Sequence, residues 1–273
     1  APIIYWLNPY FLKLFSHDFT IGTISQVLRG LDSGDTNRFS RYTWEEFDRA
    51  RWKLYSRGGG YKKWYGLNEY LIDWELKGTR IKSISNSIIP NESYYGNPGL
   101  TYSRIANQNC GFRYLDSSTI IGVNGSGLYT DTHLGTLCAI LNCHISTYLI
   151  RAISQNIVFQ VDHISRMPLP EIYSYEDHEC LNGLSKFCLV LKKDIENSIP
   201  NSISIKFNHF NSVNNFIVHE ILGLMQITTL LHLIEGFIEK YVTRILFNIE
   251  SVDIIYDILS ETGTPTGWHP LIA

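Results

Sequence analysis

The chain has 273 residues, of which 44% are hydrophobic and 18% are charged, so it is not a disordered polypeptide and has room for one large or two small domains. No apolar run reaches the length of about 18 residues that a spanning helix needs, so we expect no membrane contact. The net charge of −3 is uneven: residues 29–113 carry 14 Lys and Arg against 9 Asp and Glu, whereas residues 114–273 carry 8 against 16. A basic segment beside an acidic one favours a polyanion-binding face.

The cysteines point to a reducing compartment, because their number is odd and their spacings match no disulfide framework. No signal-peptide pattern begins the chain, and we expect a cytoplasmic protein. A start without Met predicts a segment of a longer protein. The five cysteines are Cys110, Cys138, Cys143, Cys180 and Cys188.

The first part of the chain mixes helical and strand patterns. Residues 2–15 place apolar side chains near helical spacing and predict a short lead-in helix. Turn-forming residues predict loops at 30–37 and 90–100, and an apolar stripe predicts one long helix at 133–152. Alternating patterns predict strands at 21–29, 69–75, 110–115 and 119–123.

After Pro170 the pattern becomes helical. Periodic apolar residues predict helices at 178–196, 215–249 and 252–260. The sequence therefore predicts an α+β fold, with a mixed-sheet domain followed by a helical C-terminal region. We place the boundaries at residues 1–20 for the lead-in helix, 21–170 for the mixed-sheet domain and 171–273 for the helical region.

Two short motifs suggest enzyme chemistry, but each has a simpler structural interpretation. Asn8-Pro9-Tyr10 resembles the N-P-P-Y loop of amino-methyltransferases, yet it lacks one proline and no Gly-rich cofactor loop precedes it, so a helix interruption is favoured. Asp73–Lys77 contains the Glu-x-Lys of metal-dependent nucleases, a chemistry that needs two carboxylates on Mg²⁺. A strand end at the surface is the favoured interpretation of this motif.

The glycine-rich segments and the cysteines match no known binding motif. Gly58–Lys63 and Gly122–Gly127 have neither the P-loop spacing nor the dinucleotide fingerprint, so both favour turns. The Cys and His residues include no CxxC pair, which favours core positions over a zinc site.

A basic and aromatic segment at residues 38–65 is the strongest functional signal. Lys and Arg suit phosphates, and Arg also suits guanine edges. The aromatic side chains would pack the loop or wedge into a duplex. The alternative is a solvated hairpin with cation–π pairs.

In and around this segment, between residues 29 and 75, the sequence resembles a known family. Residues 29–39 resemble a G-L-x-T-G-D-N-x-R-F signature, residues 52–66 a K-G-G-x-x-R-K-W-Y-G segment, and residues 68–75 an N-x-E-Y-V-V-N-W-E strand. These are motifs of the TaqI-like C-terminal specificity domains of adenine-N6 DNA methyltransferases. That family includes type IIG restriction–modification enzymes and the BREX phage-defence methyltransferases.

Further stretches agree in the same order. Residues 99–103 resemble the family's G-I-T-W/Y-S, residues 137–149 its L-L-A-I-L-N-S-K helix, and residues 159–170 the close of a recognition domain. Residues 261–272 resemble a stretch of the BREX-type proteins, which favours a BREX parent. Ser33, Thr36, Asp73 and Cys143 depart from the family's usual Thr, Asn, Asn and Ser.

The resemblance implies a target recognition domain that reads double-stranded DNA in the major groove. In the family, a methyltransferase domain that uses S-adenosyl-L-methionine precedes this domain, so we expect no cofactor in this chain and no catalysis by it alone. Residues 1–20 would lead in from that domain. The helical region would contact protein, including the methyltransferase domain and other defence-system subunits.

Candidate DNA-contact residues follow from the basic segment and the resemblance. Asn37 and Gln160 are candidate adenine readers, because their amides can bond bidentately to adenine. The other candidates are Arg38, Arg41, Lys53, Arg57, Lys62, Lys63, Tyr102, Ser103 and Arg104.

Two other functions stay open. The acidic residues 114–273 favour a protein-interaction module that assembles the defence complex with only marginal DNA contact. An active nuclease is the weaker alternative, because the Asp73–Lys77 stretch falls on a strand of the family.

Overall fold

The computed structural model describes residues 7–16, 18–106, 109–131, 133–154, 157–169, 174–198 and 213–263. Within these ranges the strands are Gln26–Leu28 (β1), Ser40–Tyr42 (β2), Trp52–Gly58 (β3), Tyr70–Asp73 (β4), Gly99–Tyr102 (β5), Phe112–Leu115 (β6), Ile120–Asn124 (β7) and Gly127–Tyr129 (β8). The α-helices are Pro9–Leu14 (α1), Ile21–Ile24 (α2), Thr36–Phe39 (α3), Thr79–Lys82 (α4), Leu134–Leu141 (α5), His144–Ile153 (α6), Val161–Ser165 (α7), Tyr175–Ser198 (α8), Val213–Phe247 (α9) and Val252–Glu261 (α10). One-turn 3-10 helices lie at Glu75–Lys77 and Glu92–Tyr94.

These strands form two four-stranded sheets. Sheet A has the order β1-β8-β5-β6 and is antiparallel throughout. Sheet B has the order β2-β4-β3-β7, and its β3–β7 pair is parallel while its other pairs are antiparallel. The helices α8, α9 and α10 follow the sheets along the chain. The predicted α+β fold is therefore confirmed.

The two sheets meet where the chain passes from β7 to β8. The hydroxyl oxygens of Ser56 on β3 and Thr101 on β5 lie 2.9 Å apart. A Cβ atom at Gly125 would lie only 2.1 Å from the carbonyl oxygen of Ser56, so this crossing requires a glycine.

The main core is shared by the lead-in, sheet and helical segments. The largest cluster of buried apolar side chains includes Phe11 on α1, Leu100 on β5, Cys188 on α8 and Ile238 on α9. The boundaries at residues 20 and 170 remain predictions, but the described residues of the helical region pack into the same core as sheet A.

The apolar stripe at residues 133–152 forms two helices rather than the single predicted helix. Helices α5 and α6 are bent by 77°, and Cys143 between them has an extended backbone. The Asn142 side chain accepts a hydrogen bond from the backbone N–H of Phe112 (2.9 Å) and donates to its carbonyl (3.0 Å). This exchange attaches the bend to the outer edge of β6.

A carboxylate on α9 holds the first turn of α6. Glu239 is buried, and its two oxygens accept the backbone N–H groups of His144 (2.8 Å) and Ile145 (3.1 Å). These N–H groups lack partners inside α6, because the first turn of a helix leaves its donors unpaired. The helical region therefore caps a helix whose buried side chains belong to the same core as sheet A.

Most element predictions are confirmed. Strands β4, β6 and β7 and helices α8, α9 and α10 lie at the predicted places. The predicted strand at 21–29 is wrong in its first half, because the hydroxyl of Thr23 donates to the Thr20 carbonyl (2.6 Å) and closes a helical turn. The loop prediction at 90–100 overlaps the start of β5 at Gly99, and most of the stretch 261–272 lies outside the described residues.

Among the described residues, no single helix has both the length and the hydropathy to cross a membrane. By length and composition alone, α5 and α6 together would suffice, but they are bent and most of their side chains are buried in this fold.

We expect Asn142→Ala to lower the free energy of unfolding by about 2–4 kcal/mol, because it leaves the N–H of Phe112 unpaired and removes one bond to its carbonyl. Urea unfolding followed by tryptophan fluorescence measures the change. Asn97→Ala is the matched control, since the exposed Asn97 bonds only the nearby Ser93 carbonyl, and it should change stability by less than about 0.5 kcal/mol. Equal effects of the two substitutions would contradict the role of Asn142.

Candidate nucleic-acid interface

A shallow pocket of about 360 Å³ lies at one end of sheet B. It is built by α3, by β2 with the turn that follows it, and by the ends of β3 and β4. Three of the predicted DNA-contact residues, Asn37, Arg41 and Arg57, line it. The remaining lining residues are Thr36, Ser40, Tyr42, Glu45 and Tyr70.

Local sequence explains how the pocket forms. Asp35 caps the single turn of α3, accepting the N–H of Arg38 at 3.1 Å, and so fixes Asn37 at the pocket wall. Strand β2 follows at once and pairs with β4, which places Tyr42 directly opposite Tyr70. Their rings lie 4.9 Å apart and form an aromatic side of the pocket.

The two arginines of the pocket differ in how they are held. Arg41 donates from one guanidinium nitrogen to the carbonyls of Asn37 and Ser40, both at 2.8 Å. The Arg57 guanidinium lies over the Tyr70 ring, 4.8 Å from its centroid, and makes no hydrogen bond or ion pair to any described residue. Arg41 is therefore fixed by the protein, whereas the donors of Arg57 face solvent.

Exposed aromatic side chains continue the pocket rim. Trp44 stacks on Tyr42 with ring centroids 4.4 Å apart and an angle of 10° between the planes. Trp44 and Phe47 are 58% and 81% exposed. The turn after β2 thus presents flat apolar surfaces next to cationic groups, a combination that suits stacking on bases.

Two further candidate residues are close in sequence to the pocket residues but do not line the pocket. Arg38 is exposed on α3, and its guanidinium lies 5.2 Å from the centroid of the Phe39 ring. Lys53 on β3 is half-buried, and its ammonium donates to the carbonyl of Arg49 at 2.7 Å.

The two lysines of residues 58–66 face the helical region instead of the pocket. The ammonium of Lys62 pairs with Glu196 on α8. The ammonium of Lys63 lies 4.0 Å from Glu235 on α9, and the indole N–H of Trp64 donates to the same carboxylate at 2.6 Å. Burial alone would lower the pKa of Lys63, but the nearby groups that favour its charged form, Glu235 first, together outweigh burial and raise it.

Backbone bonds also fix this loop to sheet A. The N–H of Trp64 donates to the Phe112 carbonyl (2.8 Å), and the N–H of Tyr114 donates to the Trp64 carbonyl (3.0 Å). Residues 58–66 therefore join sheet A to α8 and α9, and we leave Lys62 and Lys63 out of the candidate interface.

The predicted DNA contacts at residues 102–104 are mostly buried. Tyr102 is fully buried against Phe112, with ring centroids 5.2 Å apart, and burial raises its pKa. Ser103 is also buried and donates to the Gly59 carbonyl at 3.3 Å. These placements do not support the expectation that Tyr102 and Ser103 contact DNA, because their polar atoms face the protein interior.

Arg104 and Gln160 lie close together but do not line the pocket. The N–H of Phe159 donates to the Arg104 carbonyl at 2.7 Å, and Gln160 follows at the start of α7. Arg104 is half-buried, whereas Gln160 is exposed. They form a second, smaller group of predicted contact residues.

Asp73 has a structural role in the motif that resembled a nuclease. Its carboxylate is buried and receives hydrogen bonds from Arg51 (2.8 and 3.2 Å) and Arg80 (2.7 Å). Burial opposes ionisation of Asp73, but Arg51 and Arg80 outweigh it and lower its pKa. In the part of the chain that the structure describes, no three His, Cys, Asp or Glu side chains are grouped to hold a metal ion. The nuclease alternative therefore has no support from the geometry.

The Asn-Pro-Tyr motif starts a helix. The Asn8 side chain accepts the N–H of Tyr10 at 3.1 Å, and Pro9 is the first residue of α1. Both are standard features of a helix N-terminus.

Five lining residues of the pocket were not among the predicted contacts, namely Thr36, Ser40, Tyr42, Glu45 and Tyr70. Tyr70 comes from β4, which is distant in sequence and reaches the pocket only through its pairing with β2. The aromatic and acidic run from Tyr42 to Asp48 was the available signal for Glu45.

Asp73→Asn should lower the free energy of unfolding by about 2 kcal/mol at pH 7, because it removes charged hydrogen bonds to two arginines. The folded-state pKa of Asp73 is below its ordinary value near 4, so its stabilisation is present above that value and is lost as the pH falls through the folded pKa. Urea unfolding between about pH 3 and 7 should therefore show a flatter acid limb for the variant. Glu75→Gln, at an exposed neighbouring carboxylate, is the control, and an equally flat profile for it would argue against this assignment.

Lys63→Ala should lower the free energy of unfolding by about 3 kcal/mol, because it removes one partner of a largely buried ion pair. Lys186→Ala, at an exposed position on α8, should leave stability unchanged. A Lys63→Ala variant of unchanged stability but weaker DNA binding would return Lys63 to the interface.

Comparisons with known proteins show similarity to adenine-specific methyltransferases. No protein-family profile matches the chain. The chain is 24% identical over 233 residues to adenine-specific methyltransferase PglX of Lacticaseibacillus casei (strain Zhang), a match that covers 76% of this chain and 19% of that protein. It is 23% identical over 192 residues to adenine-specific methyltransferase BrxX of Escherichia coli O9:H4 (strain HS), covering 65% of this chain and 16% of that protein. The chain is thus similar, over most of its length, to less than a fifth of each of these adenine-specific methyltransferases.

Proposed function

We propose that this chain is the DNA target recognition domain of an adenine-specific DNA methyltransferase of the BREX type, related to the TaqI-like specificity domains. The observation that carries the proposal is the pocket that brings Asn37, Arg41 and Arg57 together beside stacked, exposed aromatic rings. Amide and guanidinium groups of this kind are the side chains that most often read adenine and guanine edges in the major groove.

The similarity to PglX and BrxX supports the methyltransferase part of the proposal. Because the match covers less than a fifth of those proteins, methyl transfer and the S-adenosyl-L-methionine site are assigned to another part of the parent protein. In this proposal the chain contributes the choice of DNA sequence.

The exposed cations around the pocket would set the position of the duplex. Arg38 and Lys53 have at least part of their side chains exposed, and phosphate contacts from such groups fix register without reading sequence. Gln160 and Arg104 would contact the duplex at a second point.

A protein-interaction role of the helical region is the second candidate. Large apolar side chains are exposed on α8 and α9, including Phe187, Val190 and Met225. Such side chains favour a protein surface, in this proposal the methyltransferase domain or another defence-system subunit. Both roles can coexist, because the pocket and these side chains belong to different elements.

Fluorescence anisotropy of the full chain with a random-sequence duplex, at about 50 and 200 mM salt, tests DNA binding. With about five phosphate contacts, affinity should fall by roughly 500-fold between these concentrations. The double variant Arg38→Ala/Lys53→Ala should reduce the slope of log affinity against log salt by up to about 2, whereas Lys186→Ala should leave it unchanged.

The outcomes separate the two candidates. Binding with the expected slope and a loss in the double variant supports the recognition domain. Absence of binding at about 50 mM salt would overturn it and favour the interaction module.

A further inference from the structure

We propose that Arg57 and Glu45 together read one G·C base pair, with Arg57 donating to guanine and Glu45 accepting from cytosine. This inference rests on the proposed DNA-binding function and names the base pair that the pocket selects. Both residues line the same pocket, at the end of β3 and in the turn after β2.

Arg57 presents its donors ready for a base edge. Its guanidinium is supported by the face of Tyr70, with no hydrogen bond or ion pair to any other described residue. Stacking on a ring holds the plane of the guanidinium and leaves its edge available. A planar fork with free donors matches the O6 and N7 acceptors of guanine.

Glu45 adds an acceptor on the same pocket. One of its carboxylate oxygens accepts the N–H of Tyr42 at 2.7 Å, which fixes the side chain. The other oxygen makes no hydrogen bond to a described residue. Carboxylates accept from the N4 amino group of cytosine in the major groove.

A carboxylate inside a cationic pocket also indicates what the pocket does not bind. A DNA phosphate placed beside Arg57 would meet the like charge of Glu45, whereas a base edge carries no net charge. Arg41 does not replace Arg57 as the reader, because one of its nitrogens is already bonded to two backbone carbonyls. The charge pattern therefore favours base edges over the phosphate backbone at this position.

The arrangement distinguishes G·C from the other pairs. In A·T, adenine presents a donor at N6 where Arg57 needs an acceptor, and thymine presents the O4 acceptor and a methyl group to the carboxylate of Glu45. In the reversed C·G pair, the cytosine amino group would face Arg57. Each mismatch places a donor against a donor or an acceptor against an acceptor, so the pocket should prefer the G·C pair in a single orientation.

The test selects binding sites for the full chain from a duplex library with a randomised segment. We expect a motif with a G·C pair whose replacement by A·T weakens binding by about 5- to 150-fold. Replacing that guanine by 7-deazaguanine removes the N7 acceptor without changing pairing, and it should weaken the wild type but not Arg57→Ala.

Three variants assign the roles. Arg57→Ala should lose the preference at that position, and Arg57→Lys should keep it in weaker form, because an ammonium donates to guanine without the planar fork. Glu45→Gln should relax it as well, since an amide can either accept from the cytosine amino group or donate to thymine O4. Arg38→Ala is the matched control, an exposed arginine outside the pocket, and should weaken binding to all sequences while keeping the motif.

The failures are distinguishable. A motif that Arg57→Ala and Glu45→Gln leave unchanged would overturn this inference while the recognition function stands. Binding without any sequence preference would overturn both this inference and target recognition, and would leave only DNA binding. A chain that binds no DNA at about 50 mM salt would overturn both.

Discussion

The rest of the structure depends on the hydrogen bonds that cover the outer edge of β6. The carbonyl of Phe112 accepts both the N–H of Trp64 and the side-chain amide of Asn142, and the N–H of Phe112 donates to Asn142. The unpaired backbone groups of an exposed edge strand can pair with another chain and so promote aggregation. Here a loop from before the strand and a helix break from after it cover that edge together, and the loop and helix α6 each also bond a carboxylate of the helical region.

This arrangement divides one basic segment into two roles. Arg57 lies at the end of β3 and faces solvent, whereas Lys62 and Lys63, a few residues later, face α8 and α9. Gly58, Gly59 and Gly60 separate them with φ angles of 78°, 92° and 72°, which L side chains adopt only with strain. The change of direction at these glycines lets cations a few residues apart face solvent on one side and pack against the helical region on the other.

Much of the fold could be predicted from sequence periodicity, because β4, β6, β7 and the helices after residue 174 depend on local patterns. The break between α5 and α6 could not, since the apolar stripe continues through it and its cause is a bond from Asn142 to a strand 30 residues earlier. The same limit applies to the interface. The composition of residues 38–65 identified a cluster of cationic side chains. The burial of Lys63 and the pairing of Tyr42 with Tyr70 depend on contacts between distant segments, which composition does not reveal. Composition alone therefore could not separate the lysines that hold the fold from the arginines that face solvent.

The acidic excess of residues 114–273 has a partly internal explanation. Glu196 and Glu235 neutralise Lys62 and Lys63 of the basic segment, and Glu239 caps α6. Lys62 and Lys192 lower the pKa of Glu196 against the effect of its burial, so its negative charge is part of the packing between loop and helix. The charge asymmetry along the chain thus reflects, in part, two segments that neutralise each other across the core. The net negative charge of residues 114–273 is therefore weaker support for a protein-interaction module than the sequence count suggests. The exposed arginines around the pocket lack such partners among the described residues, and they are the charges left to meet a polyanion.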